Sequence, residues 1–350
     1  MRSLRVAVIA PPWFPVPPTG YGGTELVVHL LATELSRRGH RLTVLGAAGS
    51  DPDLNLLELA EAGWSADLGG AGQGMREATY LHRVYQKLPE LQVDVIHDHV
   101  GVPSLAIRDL LEVTTPCVST MHGNVTQPLE EFLDEVNLPV GLVAISAFQR
   151  ASAPDLDWVA TVHNAVDPSR LGFSEHKEPY LVQMARITPD KGQHHAIEVA
   201  ERVNMRLVLA GKVDRDRAAV EYFTRHVQPH LGRRVEWRED VGGRDKADLL
   251  ANATALLFPI QWDEPFGLAM VEAMVSGTPA IAFRRGAASE LIEEGVTGFL
   301  ADDVDDMVAK VGRAAEIDHR RCAERARERF SVARMADGYE QAYLRAIAAA

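Results

Sequence analysis

Cysteine is almost absent from this sequence of 350 residues, which contains only Cys117 and Cys322. One lies in an apolar, strand-like run and the other in a charged, helix-like segment, so neither a disulfide framework nor a cysteine metal site is supported. Long apolar runs are absent too, because no stretch reaches the length of about eighteen residues that could span a bilayer. We therefore predict no transmembrane segment.

An excess of positive charge is also missing. The chain has 49 acidic and 36 basic residues, giving a formal net charge of −13. This charge disfavours general attraction to nucleic acid or anionic lipid, so any phosphate must be bound locally. The apolar run at residues 6–10 is too short for a signal-peptide core and leads straight into two prolines. These features predict a cytoplasmic protein that binds no nucleic acid.

The chain is longer than the chains that usually fold around a single hydrophobic core, so two domains are expected. The first 45 residues predict a βαβ unit with strands at residues 4–10 and 41–45 and a helix at residues 24–38. Thr24 is the predicted cap of that helix, and Gly39 follows its end. Further strands are predicted at residues 93–97, 117–121, 142–145 and 159–162.

A second series of apolar runs predicts strands at residues 180–185, 206–210, 234–237, 255–259 and 279–283. Helix-like segments separate them, and the strands stop after about residue 302, where the chain continues as helix. Apolar periodicity fails at residues 163–178, which we interpret as the linker. The predicted fold class is α/β, with two Rossmann-like doubly wound domains at residues 1–165 and 166–330. Such sheets bind ligands at the carboxyl ends of their strands, so we expect function in a cleft between the domains.

The first candidate site is Gly20-Tyr21-Gly22-Gly23-Thr24, between the first strand and the first helix. Glycine lets a phosphate approach backbone amides and the positive end of a helix. The segment departs from the dinucleotide pattern G-x-G-x-x-G, and a tight connection is the alternative interpretation.

Arg186 and Lys191 form the second candidate, just after the first strand of the second domain. Two cations at a strand end can neutralise a diphosphate in an acidic protein. The alternative is a solvated turn in which Asp190 is the neighbour of Lys191.

The third and strongest candidate runs from Phe258 to Met274 and contains Glu264-Pro265-Phe266-Gly267-Leu268 and Glu272. We expect a helix to begin near Pro265, leaving the amides of Phe266, Gly267 and Leu268 available to a ligand. Two helical turns, about 12 Å, would separate the two glutamates. At this distance they could bind two different parts of an extended ligand such as a sugar nucleotide. The alternative makes Glu264 a partner of the helix dipole and Glu272 a surface carboxylate.

Histidines end two strands of the first domain, in His97-Asp98-His99 and in His122-Gly123. A metal site is conceivable, but no third ligand stands at the expected spacing. We favour His122 as a hydrogen-bond donor to sugar or phosphate. Two D-x-D patterns, at residues 155–157 and 214–216, are interpreted as a surface turn and a helix start rather than as Mg²⁺ ligands.

With these motifs in order, the chain resembles the GT-B glycosyltransferases of family 4, which are retaining enzymes that use sugar nucleotides. The spacing of Glu264 and Glu272, E-x7-E, is the most diagnostic element. The resemblance is carried by Gly22-Gly23, Arg38-Gly39-His40, Ser119-Thr120-Met121-His122, Val162-His163-Asn164-Ala165-Val166-Asp167, the segment from Arg186 to Lys191, the segment from Glu264 to Glu272, and Ser276-Gly277-Thr278-Pro279.

The resemblance implies a role for each matching residue. Arg186 and Lys191 look like the pair that neutralises the donor diphosphate in place of a metal, and Glu272 looks like the ribose ligand. Contacts to the donor sugar are implied for Glu264, for the amides of Phe266, Gly267 and Leu268, and for His122, while Gly22 and Gly23 match the phosphate-side loop. Residues 331–350 are similar to the family's terminal helix, which packs back on the first domain.

The implied reaction moves a hexose from a nucleoside-diphosphate sugar to a hydroxyl acceptor with retained anomeric configuration, without cofactor or metal. UDP-sugars are favoured by family frequency, with GDP- and ADP-sugars as alternatives. The acceptor region, roughly residues 51–83, lacks a basic amphipathic helix, which slightly favours a small soluble acceptor. An epimerase or phosphorylase of the same fold, or a binding protein without turnover, are the alternative functions, and the oligomeric state is not indicated.

Overall fold

The structure is a computed structural model that describes residues 3–20, 22–62 and 64–350. The chain divides into two compact units. Unit 1 comprises residues 1–165 and 332–350, and unit 2 comprises residues 166–331. Each unit is built on one parallel sheet. The predicted α/β class with two doubly wound sheets is confirmed.

The sheet of unit 1 has seven strands in the order β3–β2–β1–β4–β5–β6–β7. All neighbours are parallel, and most buried strand residues are apolar, as expected for strands covered on both faces. The buried polar exceptions lie in β4 and β5: His97, Asp98, Ser119 and Thr120. The strands are β1 (Arg5–Ile9), β2 (Arg41–Ala47), β3 (Leu56–Ala60), β4 (Val95–Asp98), β5 (Cys117–Met121), β6 (Gly141–Ala144) and β7 (Trp158–Thr161).

Six helices belong to the described part of unit 1. They are α1 (Gly23–Arg37), α2 (Gln73–Leu91), α3 (Val102–Leu110), α4 (Gln127–Glu135), α5 (Ala147–Ser152) and α13 (Val332–Ala349), with a 3₁₀ turn at Trp64–Asp67. The predicted cap of the first helix was wrong: α1 begins at Gly23, so Thr24 lies inside it, and Gly22 precedes it with no side-chain cap.

Helix α13 packs on unit 1 through two buried tyrosines, Tyr339 and Tyr343. The Tyr343 hydroxyl lies 2.8 Å from Nδ1 of His97, at the end of the sheet interior. Glu340 on the same helix accepts from Arg38 Nη1 at 2.7 Å. The terminal helix is therefore anchored to unit 1 by apolar burial and by polar contacts.

The sheet of unit 2 has six parallel strands in the order β10–β9–β8–β11–β12–β13. The strands are β8 (Glu178–Met184), β9 (Arg206–Ala210), β10 (Val235–Arg238), β11 (Ala253–Phe258), β12 (Ala280–Phe283) and β13 (Gly298–Ala301). The helices are α6 (Gln193–Arg202), α7 (Arg217–Tyr222), α8 (Gly243–Asn252), α9 (Leu268–Val275), α10 (Ala288–Leu291), α11 (Val304–Gly312) and α12 (His319–Arg329). Short 3₁₀ turns lie at Pro168–Arg170, Pro189–Lys191, Gln228–His230 and Ala314–Glu316, and a π-helical turn lies at Phe223–Val227.

Two strands were not predicted, β3 and β13, and both are edge strands. β3 (Leu-Leu-Glu-Leu-Ala) is largely half-buried and has a glutamate at its centre, and its apolar residues do not alternate as in a one-sided strand. β13 has only four residues and follows the turn after α10. A short edge strand is defined mainly by its hydrogen bonds to the neighbouring strand, and the periodicity of the sequence carries no information about that pairing.

Candidate donor site

In unit 2, two loops that follow neighbouring strands are tied together. The 3₁₀ turn Pro189–Lys191 follows β8, and the amide of Gln261, after β11, donates to the carbonyl of Asp190 at 2.7 Å. Gly192 ends the turn with φ +68°, and a Cβ there would lie 2.1 Å from the carbonyl oxygen of Pro259. Only glycine fits this position, because both the backbone conformation and the close approach exclude a side chain.

This arrangement brings Lys191 and Glu264 together. The Lys191 ammonium lies 2.8 Å from Oε2 of Glu264, while Asp190 lies 3.8 Å from it. Lys191 is only 8% exposed, and its ammonium also lies 4.4 Å from the centroid of the Trp262 ring. The Trp262 indole donates to the same carboxylate oxygen at 3.1 Å. The solvated-turn interpretation of Lys191 is therefore wrong, because the side chain is buried and paired with a second candidate residue.

Arg186 lies just after the carboxyl end of β8 and forms an ion pair with Asp214. Asp214 belongs to one of the two D-x-D patterns. The second carboxylate of that pattern, Asp216, caps α7 by accepting from the amide of Ala219 at 3.0 Å. The predicted helix start is thus confirmed for Asp216, while Asp214 pairs with a candidate diphosphate ligand.

The predicted helix start near Pro265 was wrong, because α9 begins at Leu268. Gly267 precedes it with φ +98°, a left-handed conformation that is incompatible with a right-handed helix, so α9 cannot extend to earlier residues. A Cβ on Gly267 would lie 2.6 Å from the terminal methyl group of Met270. Phe266 is buried before the helix rather than forming its first turn.

The separation of the two glutamates by two helical turns was therefore also wrong. Glu272 lies on α9, whereas Glu264 lies in the loop before it. The Glu264 carbonyl accepts from the amide of Ala287 at 2.9 Å, and a Cβ on Gly286 would lie 2.3 Å from that carbonyl oxygen. The position of Glu264 is thus set by the loop after β12, not by a helical repeat.

Glu272 is buried, with 6% of its surface exposed, so its interpretation as a surface carboxylate was wrong. Its Oε1 lies 2.5 Å from the ammonium of Lys246 on α8. Lys246 is a site residue that the sequence reasoning missed. It lies 26 residues before Glu272 on another helix, so no local spacing marks it. Trp262 was missed as well, although it stands two residues before Glu264.

The remaining candidates lie in unit 1. Gly22 and Gly23 line a cavity of about 240 Å³, together with Glu25 at the start of α1. Gly22 has φ +148°, and a Cβ there would lie 2.7 Å from the Pro18 ring and 3.1 Å from Oε2 of Glu25. Tyr21, the middle residue of this candidate segment, lies outside the described residues.

His122 is hydrogen-bonded to a second histidine, since its Nε2 lies 2.8 Å from Nδ1 of His99. Burial lowers the pKa of His122 to about 4, so the ring is neutral at pH 7. Burial also lowers the pKa of His97 to about 3, and this ring lies between Tyr343 and Thr120, at 2.8 and 2.9 Å. Neutral rings in this setting act as hydrogen-bond partners rather than as cations.

Among residues 3–20, 22–62 and 64–350, no group of three or more histidine, cysteine, aspartate or glutamate side chains is placed to hold a metal ion. Within the same ranges, no helix is long and apolar enough to cross a membrane.

Two doubly wound α/β units, with cations and carboxylates collected after the strands of the second, are typical of the GT-B glycosyltransferases. Residues 21–170 match the family described as Glycosyltransferase Family 4, and residues 170–329 match Glycosyl transferases group 1. The chain belongs to family 4 of the GT-B glycosyltransferases.

Similar proteins support this assignment. A phosphatidyl-myo-inositol mannosyltransferase of Mycolicibacterium smegmatis is 26% identical over 352 residues, which cover 93% of this chain and 88% of the relative. The crystal structure of a glycosyltransferase involved in avilamycin A biosynthesis has a TM-score of 0.72 and 27% identity, covering 99% of both chains. HepE of Anabaena in complex with UDP-glucose has a TM-score of 0.75 at 18% identity, covering 99% of this chain and 100% of HepE, and shares the fold.

Proposed function

We propose that the protein transfers a hexose-type sugar from a nucleoside-diphosphate sugar to a hydroxyl of a small acceptor, with retained anomeric configuration and without a metal ion. The observation that carries this proposal is the pair of buried Lys191 and partly buried Glu264, 2.8 Å apart, in the loops that follow neighbouring strands. It provides one cation for a diphosphate and one carboxylate for sugar hydroxyls. Arg186, after the same strand as Lys191, provides the second cation.

Binding of the diphosphate is proposed to exchange ion-pair partners. Lys191 is held by Glu264, and Arg186 by Asp214. A diphosphate carries more charge than either carboxylate, so it competes for both cations through charge-assisted hydrogen bonds. Once Lys191 turns to phosphate, the Glu264 carboxylate is available to accept from hydroxyls of the donor sugar. The amides of Phe266, Gly267 and Leu268, before and at the start of α9, would add donors to that sugar.

Glu272 is proposed to bind the ribose hydroxyls of the nucleotide. Lys246, 2.5 Å away, balances the charge of this buried carboxylate. A UDP-sugar is the favoured donor, and the structural similarity to HepE in complex with UDP-glucose is consistent with it. GDP- and ADP-sugars are the alternatives that an experiment has to separate.

In unit 1, Gly22 and Gly23 are proposed to approach the donor phosphates, because the start of α1 offers backbone amides. His122 is proposed to bond a sugar hydroxyl as a neutral ring, since its pKa of about 4 leaves no proton for general acid catalysis at pH 7. Its other contact, to His99, orients the ring.

The proposed reaction is a front-face displacement. The bond between the anomeric carbon and the diphosphate oxygen breaks, and the acceptor oxygen bonds to that carbon on the same face. The acceptor proton passes to the leaving diphosphate. The protein stabilises the developing charge with Arg186 and Lys191 and holds both substrates in register. No enzymic nucleophile takes part.

The donor is tested by a thermal-shift screen of UDP-, GDP-, ADP- and dTDP-sugars. A ligand at about 100 times its Kd stabilises the folded chain by about 2.7 kcal/mol, so the true donor should stand out. The reaction is tested by replacing Arg186, Lys191 or Glu264 with alanine and measuring release of nucleoside diphosphate. Unchanged turnover in all three variants would contradict the proposal.

Three further measurements separate the finer claims. NMR of the product gives its anomeric configuration, and an inverted product would refute retention. Turnover that survives chelation of divalent cations is expected if the two cations replace a metal. Donor binding without diphosphate release for any acceptor would point to a binding protein instead.

A further inference from the structure

A second cavity of unit 1 lies at the opposite end of its sheet from the candidate site residues. It has a volume of about 210 Å³, and its lining includes Cys117 and Gly141, the first residues of β5 and β6. His122 follows the last residue of β5, and a strand of this length spans about 13 Å. The cavity is therefore separate from the residues of unit 1 that the proposed function uses.

A buried arginine in this lining keeps most of its hydrogen-bonding capacity. Arg108, in the last turn of α3, is 1% exposed. Its Nη2 donates to the carbonyl of Thr115 at 3.1 Å, whereas Nε and Nη1 are buried without a hydrogen-bond partner in the described structure. Because Nη2 has two N–H groups, one forked edge of the guanidinium keeps both of its donors. A buried cation with unpaired donors is costly, which points to an anion that pairs with it.

The wall of the cavity is mainly apolar. Its apolar residues include Pro116, Leu138, Val140, Val159 and Ala346. Burial raises the pKa of the Cys117 thiol to about 12, so this group is neutral at pH 7. Asp157 is the acidic residue of the described lining, and it is exposed, as are Thr114 and Pro139, so the cavity reaches the surface.

This combination selects a class of ligand. A forked guanidinium edge matches the two oxygens of a carboxylate, and an apolar wall gains from covering an apolar body attached to it. Inorganic phosphate would satisfy the cation but has no apolar surface to bury.

We propose that this cavity binds a small monocarboxylate with an apolar body. The carboxylate pairs with the unused edge of Arg108, and the body packs against Leu138, Val140 and Val159. Ala346 places α13 in the same lining, so the ligand contacts both the terminal helix and the sheet of unit 1. The inference does not depend on the proposed function, because the ligand takes no part in sugar transfer.

Benzoate is the probe, because it joins a carboxylate to a compact apolar ring. Its binding to the full chain is measured by saturation-transfer NMR and isothermal calorimetry, with phenylacetate and hexanoate as further carboxylates. Benzamide keeps the ring without the charge, and inorganic phosphate keeps a charge without the ring. Each should bind at least about tenfold more weakly than benzoate, through loss of a charge-assisted hydrogen bond or of apolar burial.

UDP serves as the competitor that locates the probe. It should leave the affinity for benzoate unchanged, because the cations of the candidate donor site, Arg186 and Lys191, belong to unit 2. Three results would overturn the proposal: no binding of any of the three carboxylates at about 10 mM, equal binding of benzamide or phosphate, or displacement of benzoate by UDP.

The variant Arg108→Met removes the guanidinium and keeps most of the aliphatic volume. It should weaken benzoate binding by about tenfold to a hundredfold. Without ligand its Tm should be no lower than that of the wild type, because an apolar group replaces an unpaired buried cation. Arg150→Met is the matched control, since Arg150 is exposed, donates to the Trp158 carbonyl at 3.4 Å and is not in the described lining. A lower Tm with unchanged benzoate affinity in Arg108→Met, or an equal loss of affinity in Arg150→Met, would overturn the proposal.

A second pair of variants tests the cavity without changing Arg108. Ala349, in the last turn of α13, is exposed and lines the cavity, so Ala349→Phe should block it and abolish benzoate binding without disturbing the core. Ala348 is exposed on the same turn but is not in the described lining, so Ala348→Phe should bind benzoate as the wild type does. This pair keeps the test decisive if Arg108→Met does not fold. Benzoate binding that survives in Ala349→Phe, or that is lost in both variants, would refute the site.

Discussion

The ion pair between Lys191 and Glu264 makes a quantitative prediction for the variant Lys191→Met. Methionine keeps most of the aliphatic volume and removes the ammonium. The variant leaves Glu264, whose side chain is 16% exposed, without the cation at 2.8 Å, and it removes the contact of the ammonium with the Trp262 ring at 4.4 Å.

Breaking a buried ion pair costs about 3–5 kcal/mol, because one charge is left uncompensated. The partial exposure of Glu264 and its remaining bond from Trp262 reduce this cost, so we expect a loss of about 2–3 kcal/mol. For a unit of this size, that loss lowers Tm by about 5–10 °C. Calorimetry measures it. Release of nucleoside diphosphate should fall by about 10²- to 10³-fold, as expected when one group that stabilises transition-state charge is removed.

Lys310→Met is the matched control. Lys310 also pairs with a glutamate, Glu294 at 3.3 Å, and lies over an aromatic ring, Phe299 at 5.7 Å. Glu294 is 46% exposed, so this pair is screened by water and should contribute less than about 1 kcal/mol. If Lys191→Met is no less stable than Lys310→Met, or releases diphosphate within threefold of the wild type, the reasoning about Lys191 is refuted.

The other predictions concern the remaining site residues and the buried histidines. Glu272→Gln should weaken the binding of the free nucleoside diphosphate and of the nucleotide sugar alike by about tenfold or more, whereas Glu264→Gln should weaken only the binding of the nucleotide sugar. Isothermal calorimetry measures both affinities, and equal losses for both ligands in both variants would contradict the assignment. Gly286→Ala should reduce donor affinity, because its Cβ would lie 2.3 Å from the Glu264 carbonyl oxygen, whereas Gly295→Ala has a similar positive φ but nothing within 4 Å and should leave donor affinity unchanged. The free energy of unfolding should fall as the pH drops from about 6.5 towards 4. In this window histidines of the unfolded chain bind protons, whereas buried histidines such as His97, with a pKa of about 3, stay neutral in the folded chain. Each such histidine contributes a slope of about 1.4 kcal/mol per pH unit, so His97→Asn should flatten the denaturation profile in this window, and an unchanged slope would contradict the burial argument.

Local sequence patterns were sufficient for much of the fold. Two interior strands, β5 and β9, were predicted with their observed bounds. Their short, mainly uncharged runs are bounded by turn residues, and strands covered on both faces of a parallel sheet have this pattern. The turns were harder to predict from the sequence. Because Gly267 has φ +98°, α9 begins three residues after the predicted start at Pro265.

The sequence by itself determined which residue types are present for the proposed chemistry and roughly where each follows a strand. Only the tertiary structure decided their partners. Lys191 meets Glu264 across 73 residues of chain, and Glu272 meets Lys246 across 26. The physical reason is that a parallel sheet places residues distant in sequence at neighbouring strand ends, and ion pairing then depends on distance and burial in space, neither of which has a period along the chain.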